Sequence, residues 1–285
     1  MDRLISLIEK KNNPSVIGLD PVVDYIPAFL KEKHELVTDA ILEFNLNLID
    51  SFADVVAAIK PQLAYYEIFG SKGIEVYEKT AAYAKEKGLY IIADGKRNDI
   101  GSTAGAYAEA YLGEKGSADA LTVNGYLGID GVKPFLDKAV AYDKDIFVLA
   151  KTSNPSSGEL QDLKLNSGEM ICEKMMELLT KWGSETVGKY GYSRIGAVVG
   201  ATYPEQLASM RKNYGEIFFL VPGYGFQGGG AEGVRGGFDK KGFGSVVNSS
   251  RAVMLAYKKE GDEKKYAEAA RKEVIRMRDE LNTVR

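Results

Sequence analysis

Short apolar runs alternate along this chain with longer amphipathic stretches. The runs at 15–20, 54–60, 89–94, 118–123, 146–151, 195–200, 217–221 and 245–248 read as strands. Between them, apolar positions recur three and four residues apart. That spacing predicts helices near 38–51, 71–87, 103–112, 131–142, 168–190, 204–214 and 264–282. The first eleven residues also fit one apolar helix face. In the last helix Ala267, Ala270, Val274, Met277 and Leu281 form a single stripe, so its many charges read as a solvated face. Near-strict alternation of strand and helix argues for a parallel α/β sheet. A doubly wound sheet competes, but eight βα units in 285 residues is the count and length of a TIM (β/α)8 barrel. No linker or composition shift marks a second domain.

Composition narrows the partners. With 37 Lys and Arg against 40 Asp and Glu, the chain lacks the basic footprint of nucleic-acid binding. No segment approaches the ~20 apolar residues that span a bilayer, and the N-terminus lacks the apolar core of a signal peptide. The single cysteine, Cys172, sits in a helical pattern and reads as a packed thiol; a chain without an intrachain disulfide suits a reducing compartment. The expectation is a cytoplasmic protein, and the Asn248-Ser249-Ser250 sequon then occurs by chance. The only histidine, His34, lies in a charged stretch and reads as exposed, which argues against a Ser-His-Asp triad or a histidine metal site. A carboxylate-bound magnesium stays open on the residues alone.

In a barrel the active site lies at the C-terminal strand ends, and polar residues gather there: Asp20, Lys60, Asp94 and Lys96, Asn124, Thr152-Ser153-Asn154, and Asn248-Ser249-Ser250-Arg251. The most informative stretch is Asp94-Gly95-Lys96-Arg97-Asn98-Asp99. Residues two apart on a strand share a face, so Asp94 and Lys96 are expected to point together. Lys60, Asp94, Lys96 and Asp99 then suggest an array of alternating charges. Carboxylates keep a neighbouring lysine protonated, and a protonated lysine in a dry cleft can give its proton to a developing carbanion. A structural ion-pair network at the rim is the plainer alternative. Gly223-Tyr224-Gly225-Phe226-Gln227-Gly228 fits a dinucleotide fingerprint, but more glycines follow where a helix should open. The stretch at 223–238 reads instead as a lid closing over a ligand, with Gln227 and Arg235 as candidate contacts. Ser249-Ser250-Arg251 reads as a phosphate grip after the last strand, or as a strand-end arginine paired to a local carboxylate.

Six segments in order carry a resemblance: Gly18-Leu19-Asp20-Pro21, Ile59-Lys60-Pro61-Gln62, Asp94-Gly95-Lys96-Arg97-Asn98-Asp99-Ile100-Gly101-Ser102-Thr103, Thr152-Ser153-Asn154-Pro155, the glycine-rich stretch from Pro222 through Gln227, and Ser250-Arg251. Together they resemble the orotidine 5′-phosphate decarboxylase family, in its longer bacterial (type 2) subgroup, over most of the chain. The resemblance implies a homodimeric TIM barrel without metal or organic cofactor that converts orotidine 5′-phosphate to uridine 5′-phosphate and carbon dioxide. It implies that Lys96 protonates C6 and Asp94 faces the substrate carboxylate. Lys60 and Asp20 hold the ribose and order the charges. Asp99, Ile100 and Thr103 reach the partner's site, Ser153 reads the pyrimidine edge, Gln227 bridges base and phosphate, and Ser250 with Arg251 holds the phosphate. The chain departs from shorter members in an extended lid at 230–238, a longer loop at 156–167, and Ser-Ser-Arg where Gly-Arg is usual. Three competitors remain: a magnesium-dependent phosphosugar decarboxylase or aldolase of the same superfamily, a Schiff-base aldolase using Lys60 or Lys96, and a non-catalytic nucleotide-binding barrel. A Schiff base needs a lysine of lowered pKa, against which flanking carboxylates act.

Overall fold

The computed structural model describes residues 1–224 and 230–285. Eight parallel strands close into a barrel in chain order: β1 (Ser15–Leu19), β2 (Ala58–Pro61), β3 (Tyr90–Arg97), β4 (Ala120–Val123), β5 (Asp145–Lys151), β6 (Ile195–Val199), β7 (Phe219–Val221) and β8 (Ser245–Ser249). Closure is made by β1 against β8, with Val16 opposite Asn248. This is the TIM barrel expected from the alternation.

Side-chain parity along each strand separates two cores. Ile17, Ile59, Ile91, Leu121, Val148, Val199 and Phe219 face outward onto the apolar stripes of helices such as Val37–Phe52 and Tyr266–Asn282. Val16, Ala58, Ile92, Ala120, Phe147, Val198, Leu220 and Val246 fill the interior. The helix Asp2–Lys11 packs Leu4, Ile5 and Ile8 against that second set. The same parity, continued one step beyond Ala58, Ile92, Ala120 and Val246 and two beyond Val16, brings Lys60, Asp94, Thr122, Asn248 and Asp20 to the open mouth. Below the mouth the interior is mainly apolar, and at its far end the buried Asp145 carboxylate is paired with the Met1 ammonium and accepts from Tyr90 Oη at 2.6 Å.

Three boundaries differ from the periodicity. The strand expected from residue 54 starts at Ala58, because Val55 N and Val56 N both turn back to Phe52 O. The helix expected over 168–190 spans Ile171–Gly183, entered through Gly168 at φ 92° and followed by a single 3-10 turn, Ser184–Thr186. Part of the expected lid is folded: Ala231–Val234 is a helical turn, and Val234 and Phe238 are buried. Arg235, which follows that turn, pairs with Glu232 at 2.7 Å on the exposed surface. Residues 225–229 of the expected lid, with Gln227, lie outside the described residues.

Candidate active site

Asp94 is the hub of the mouth. Its Oδ2 accepts from Lys60 Nζ at 2.8 Å and Gln62 Nε2 at 3.1 Å. Its Oδ1 accepts from Lys96 Nζ at 2.7 Å and Thr122 Oγ1 at 2.8 Å. Burial alone would raise the carboxyl's pKa, but the Lys60 and Lys96 ammoniums overcome it and hold the group far below the usual carboxylate range. Burial likewise works against the Lys60 ammonium, and Asp94 with Asp20 reverses that and raises its pKa. The expected charge clustering is thus present for Lys60, Asp94 and Lys96.

Asp94 and Lys96 meet, although not through a regular pleat. The register with β4 slips between Ala93 and Arg97, and Lys96 has φ 45°. A left-handed non-glycine residue costs roughly 1–2 kcal/mol, so something must hold it there. Two bonds do: Lys96 N donates to Thr122 Oγ1 at 2.9 Å, and Lys96 Nζ reaches Asp94. Bulges are common where a strand must re-aim a side chain next to a site. Arg97 then points to the outside, donating to Tyr111 Oη at 3.1 Å and to Glu67.

The fourth member expected in the array, Asp99, stands apart from the other three within one chain. Its carboxylate accepts from Ile100 N at 2.8 Å, and Ile100 and Thr103 are exposed beside it. Asn124 is also diverted, because its Oδ1 accepts from Tyr126 N at 2.9 Å in a tight turn. Thr122 takes the inward place on β4 instead. Parity along the strand identifies it, since it lies two residues past interior Ala120; attention to the last polar residue of the strand selected Asn124.

Two adjoining cavities open at this mouth. The larger, of about 660 Å³, is lined by Lys60, Asp94 and Lys96 on one side and by Thr152, Ser153 and Gln161 on the other. The smaller, of about 180 Å³, lies against Gly223, Ser250 and Arg251. Asp20, Tyr65 and Asn248 border both. Asp20 Oδ1 and Asn248 Oδ1 are buried there and accept no hydrogen bond among the described residues. Gly18 makes the junction possible: a Cβ there would stand 1.8 Å from Ser250 Oγ. Cys172 is buried elsewhere, and burial pushes its thiol up to about 11, in keeping with a packed and inert side chain.

Residues 28–266 match the family described as Orotidine 5′-phosphate decarboxylase / HUMPS. The chain belongs to that family. The orotidine 5′-phosphate decarboxylase of Clostridium novyi (strain NT) is 44% identical over 282 residues, covering 99% of this chain and 98% of the relative. That of Rhodopirellula baltica is 41% identical, covering 98% and 97%. Among solved structures, Leishmania donovani OMP decarboxylase superposes with a TM-score of 0.74 at 28% identity, covering 98% of each chain. The family thus confirms the resemblance drawn from six short segments, and the matches named decarboxylase run nearly end to end.

Thr122 carries the sharpest consequence for such a site. Thr122→Val keeps the shape and removes the hydroxyl that touches both Asp94 and the Lys96 backbone. Losing that shared partner is worth about 1–3 kcal/mol, so kcat is expected to fall roughly 10- to 100-fold, with UMP affinity little changed. An unaltered kcat in steady-state assays would show that the hydroxyl does not hold Lys96 in place.

Proposed function

We propose that this chain decarboxylates orotidine 5′-phosphate to uridine 5′-phosphate and carbon dioxide, the closing step of UMP formation, without metal or organic cofactor. The observation that carries the reading is the Lys96 ammonium held 2.7 Å from Asp94 at the wall of the larger cavity. Loss of carbon dioxide leaves an electron pair on C6 that the ring hardly delocalises. A fixed ammonium at that point stabilises the charge as it develops and then supplies the proton. Asp94, kept ionised by its two lysines, faces the departing carboxylate. Lys60, buried and held charged, bonds the ribose together with Asp20, whose unpartnered oxygen offers an acceptor to a sugar hydroxyl. Ser153 meets the pyrimidine edge, and Ser250 with Arg251 takes the phosphate in the smaller cavity. Gln227 joins base to phosphate from the lid at 223–238. Phosphate binding far from C6 supplies the energy that closes the site.

The enzyme acts as a homodimer with shared sites. Supporting this, Ile68, Ile100, Tyr126 and Leu127 are exposed apolar side chains on the loops that follow β2, β3 and β4. Among the described residues no helix is long and apolar enough to cross a membrane, and the reading puts the enzyme in the cytoplasm.

The experiment is direct. Purified protein treated with EDTA is mixed with orotidine 5′-phosphate, and the absorbance of the orotate ring is expected to disappear as uridine 5′-phosphate accumulates. No loss of that band, or activity that returns only on adding magnesium, would overturn the cofactor-free reading and favour the phosphosugar relatives.

A further inference from the structure

The loop that follows β5 is anchored in an unusual way. Lys151, the last residue of that strand, is fully buried. Its Nζ lies 2.8 Å from both Asp162 carboxylate oxygens and 3.1 Å from Ser157 Oγ. It also lies 4.5 Å from the centroid of the Tyr203 ring. A buried ammonium is tolerated only when paired, so Asp162 is held to the strand end from 11 residues further along the chain.

Gln161, next to Asp162, turns its amide back onto the strand exit. Thr152 N donates to Gln161 Oε1 at 2.8 Å, and Gln161 Nε2 donates to Thr152 Oγ1 at 2.8 Å. The Thr152 hydroxyl then donates to Asn154 Oδ1 at 2.6 Å. From the opposite side, Gly200 N donates to Lys151 O at 2.8 Å, and a Cβ on Gly200 would stand 2.9 Å from Ser153 Cα. The Thr152–Ser153 backbone is therefore held between the exit of β6 and the Gln161 side chain. A loop serving only as a connection needs neither a buried ammonium at its root nor a two-bond clamp on the strand end.

We propose that Gln161 is a positioning residue for recognition of the base, with the Lys151–Asp162 pair as its anchor. Gln161 borders the larger cavity, but its acceptor and one amide proton are engaged by Thr152. Its effect on a ligand passes through the placement of Ser153. The inference rests on the nucleotide reading of the cavity and concerns only the wall that meets the pyrimidine.

Gln161→Met removes both hydrogen bonds at nearly constant volume. Its inhibition constant for uridine 5′-phosphate is expected to rise about tenfold, the effect of losing one well-made contact. That for ribose 5-phosphate, which has the sugar and phosphate but no base, is expected to stay within about twofold. KM for orotidine 5′-phosphate follows the first of these, and kcat changes less. If both ligands weaken equally, the substitution has disordered the whole site; if neither does, Gln161 positions nothing. Either result overturns the proposal. Thr152→Val, which removes the hydroxyl partner, gives the second check. Combined with Gln161→Met it is expected to weaken uridine 5′-phosphate by less than the product of the single effects, because the two share one interaction. A full product would mean that Gln161 acts apart from Thr152 and would likewise overturn it. Unsubstituted protein that neither binds uridine 5′-phosphate nor consumes orotidine 5′-phosphate would instead remove the nucleotide reading itself.

Discussion

Lys96→Ala is expected to lower turnover of orotidine 5′-phosphate by at least about 10⁴-fold while the barrel stays folded. Two separable contributions are lost. A preorganised positive group at a developing charge is worth about 10²–10³ in rate, and a positioned proton donor about 10²–10⁴. The fold has little reason to suffer. The Lys96 side chain is 45% exposed, and its bond to Asp94 leaves that carboxylate with Lys60, Gln62 and Thr122 when it is removed. Alanine is also no worse than lysine at the left-handed backbone position, since neither is β-branched. The measurement pairs steady-state decarboxylation with a thermal melt followed by circular dichroism. Turnover within tenfold of the unsubstituted enzyme, at an unchanged melting temperature, would remove Lys96 from the chemistry and leave the charge cluster as a structural network.

The barrel was legible because each strand and helix repeats the same two periodicities. Eight such units leave few ways to arrange the chain, and local errors, such as the helix that stops at Gly183, did not propagate to the topology. The site was legible in part. Lys60, Asp94 and Lys96 stood out because ionisable side chains directly follow apolar runs, and the structure brings all three together. Their meeting was expected from regular strand parity, whereas the chain reaches it through a bulge and a left-handed Lys96. A pattern of residue types records which side chains share a strand end; it does not record a φ angle. Thr122 was passed over for the opposite reason: a threonine inside an apolar run reads as a strand former, and only its parity with Ala120 marks it as facing the mouth. Gln161 was illegible because the contact that gives it meaning joins a loop to the strand exit nine residues earlier, through side-chain geometry with no periodic signature.

Mixing two inactive variants is expected to restore activity if the site is completed across a dimer. Asp99 is the residue that forces the question. It follows Lys96 by three positions, yet its carboxylate turns to Ile100 N and it does not border the cavity that Lys96 lines. Its backbone lies beside the start of the helix Ile129–Ala141, where a Cβ on Gly131 would stand 3.3 Å from Asp99 O. That contact fixes the loops after β3 and β4 into one rim. The same rim exposes Ile100, Tyr126 and Leu127, at 55%, 74% and 42%. An exposed apolar rim around a charged residue suits a surface buried by a second copy of the chain. Asp99→Ala alone is expected to lose at least about 10²-fold in turnover, the scale of a misplaced site group, and Lys96→Ala more. In a symmetric dimer, random exchange of equal amounts of the two variants makes half the dimers mixed, each with one intact site, so about a quarter of full activity returns. Exchange is verified by co-purification through a tag carried on one variant alone. Exchanged subunits that stay as inactive as the separate variants would show that Asp99 serves its own chain, and the shared site would have to be abandoned.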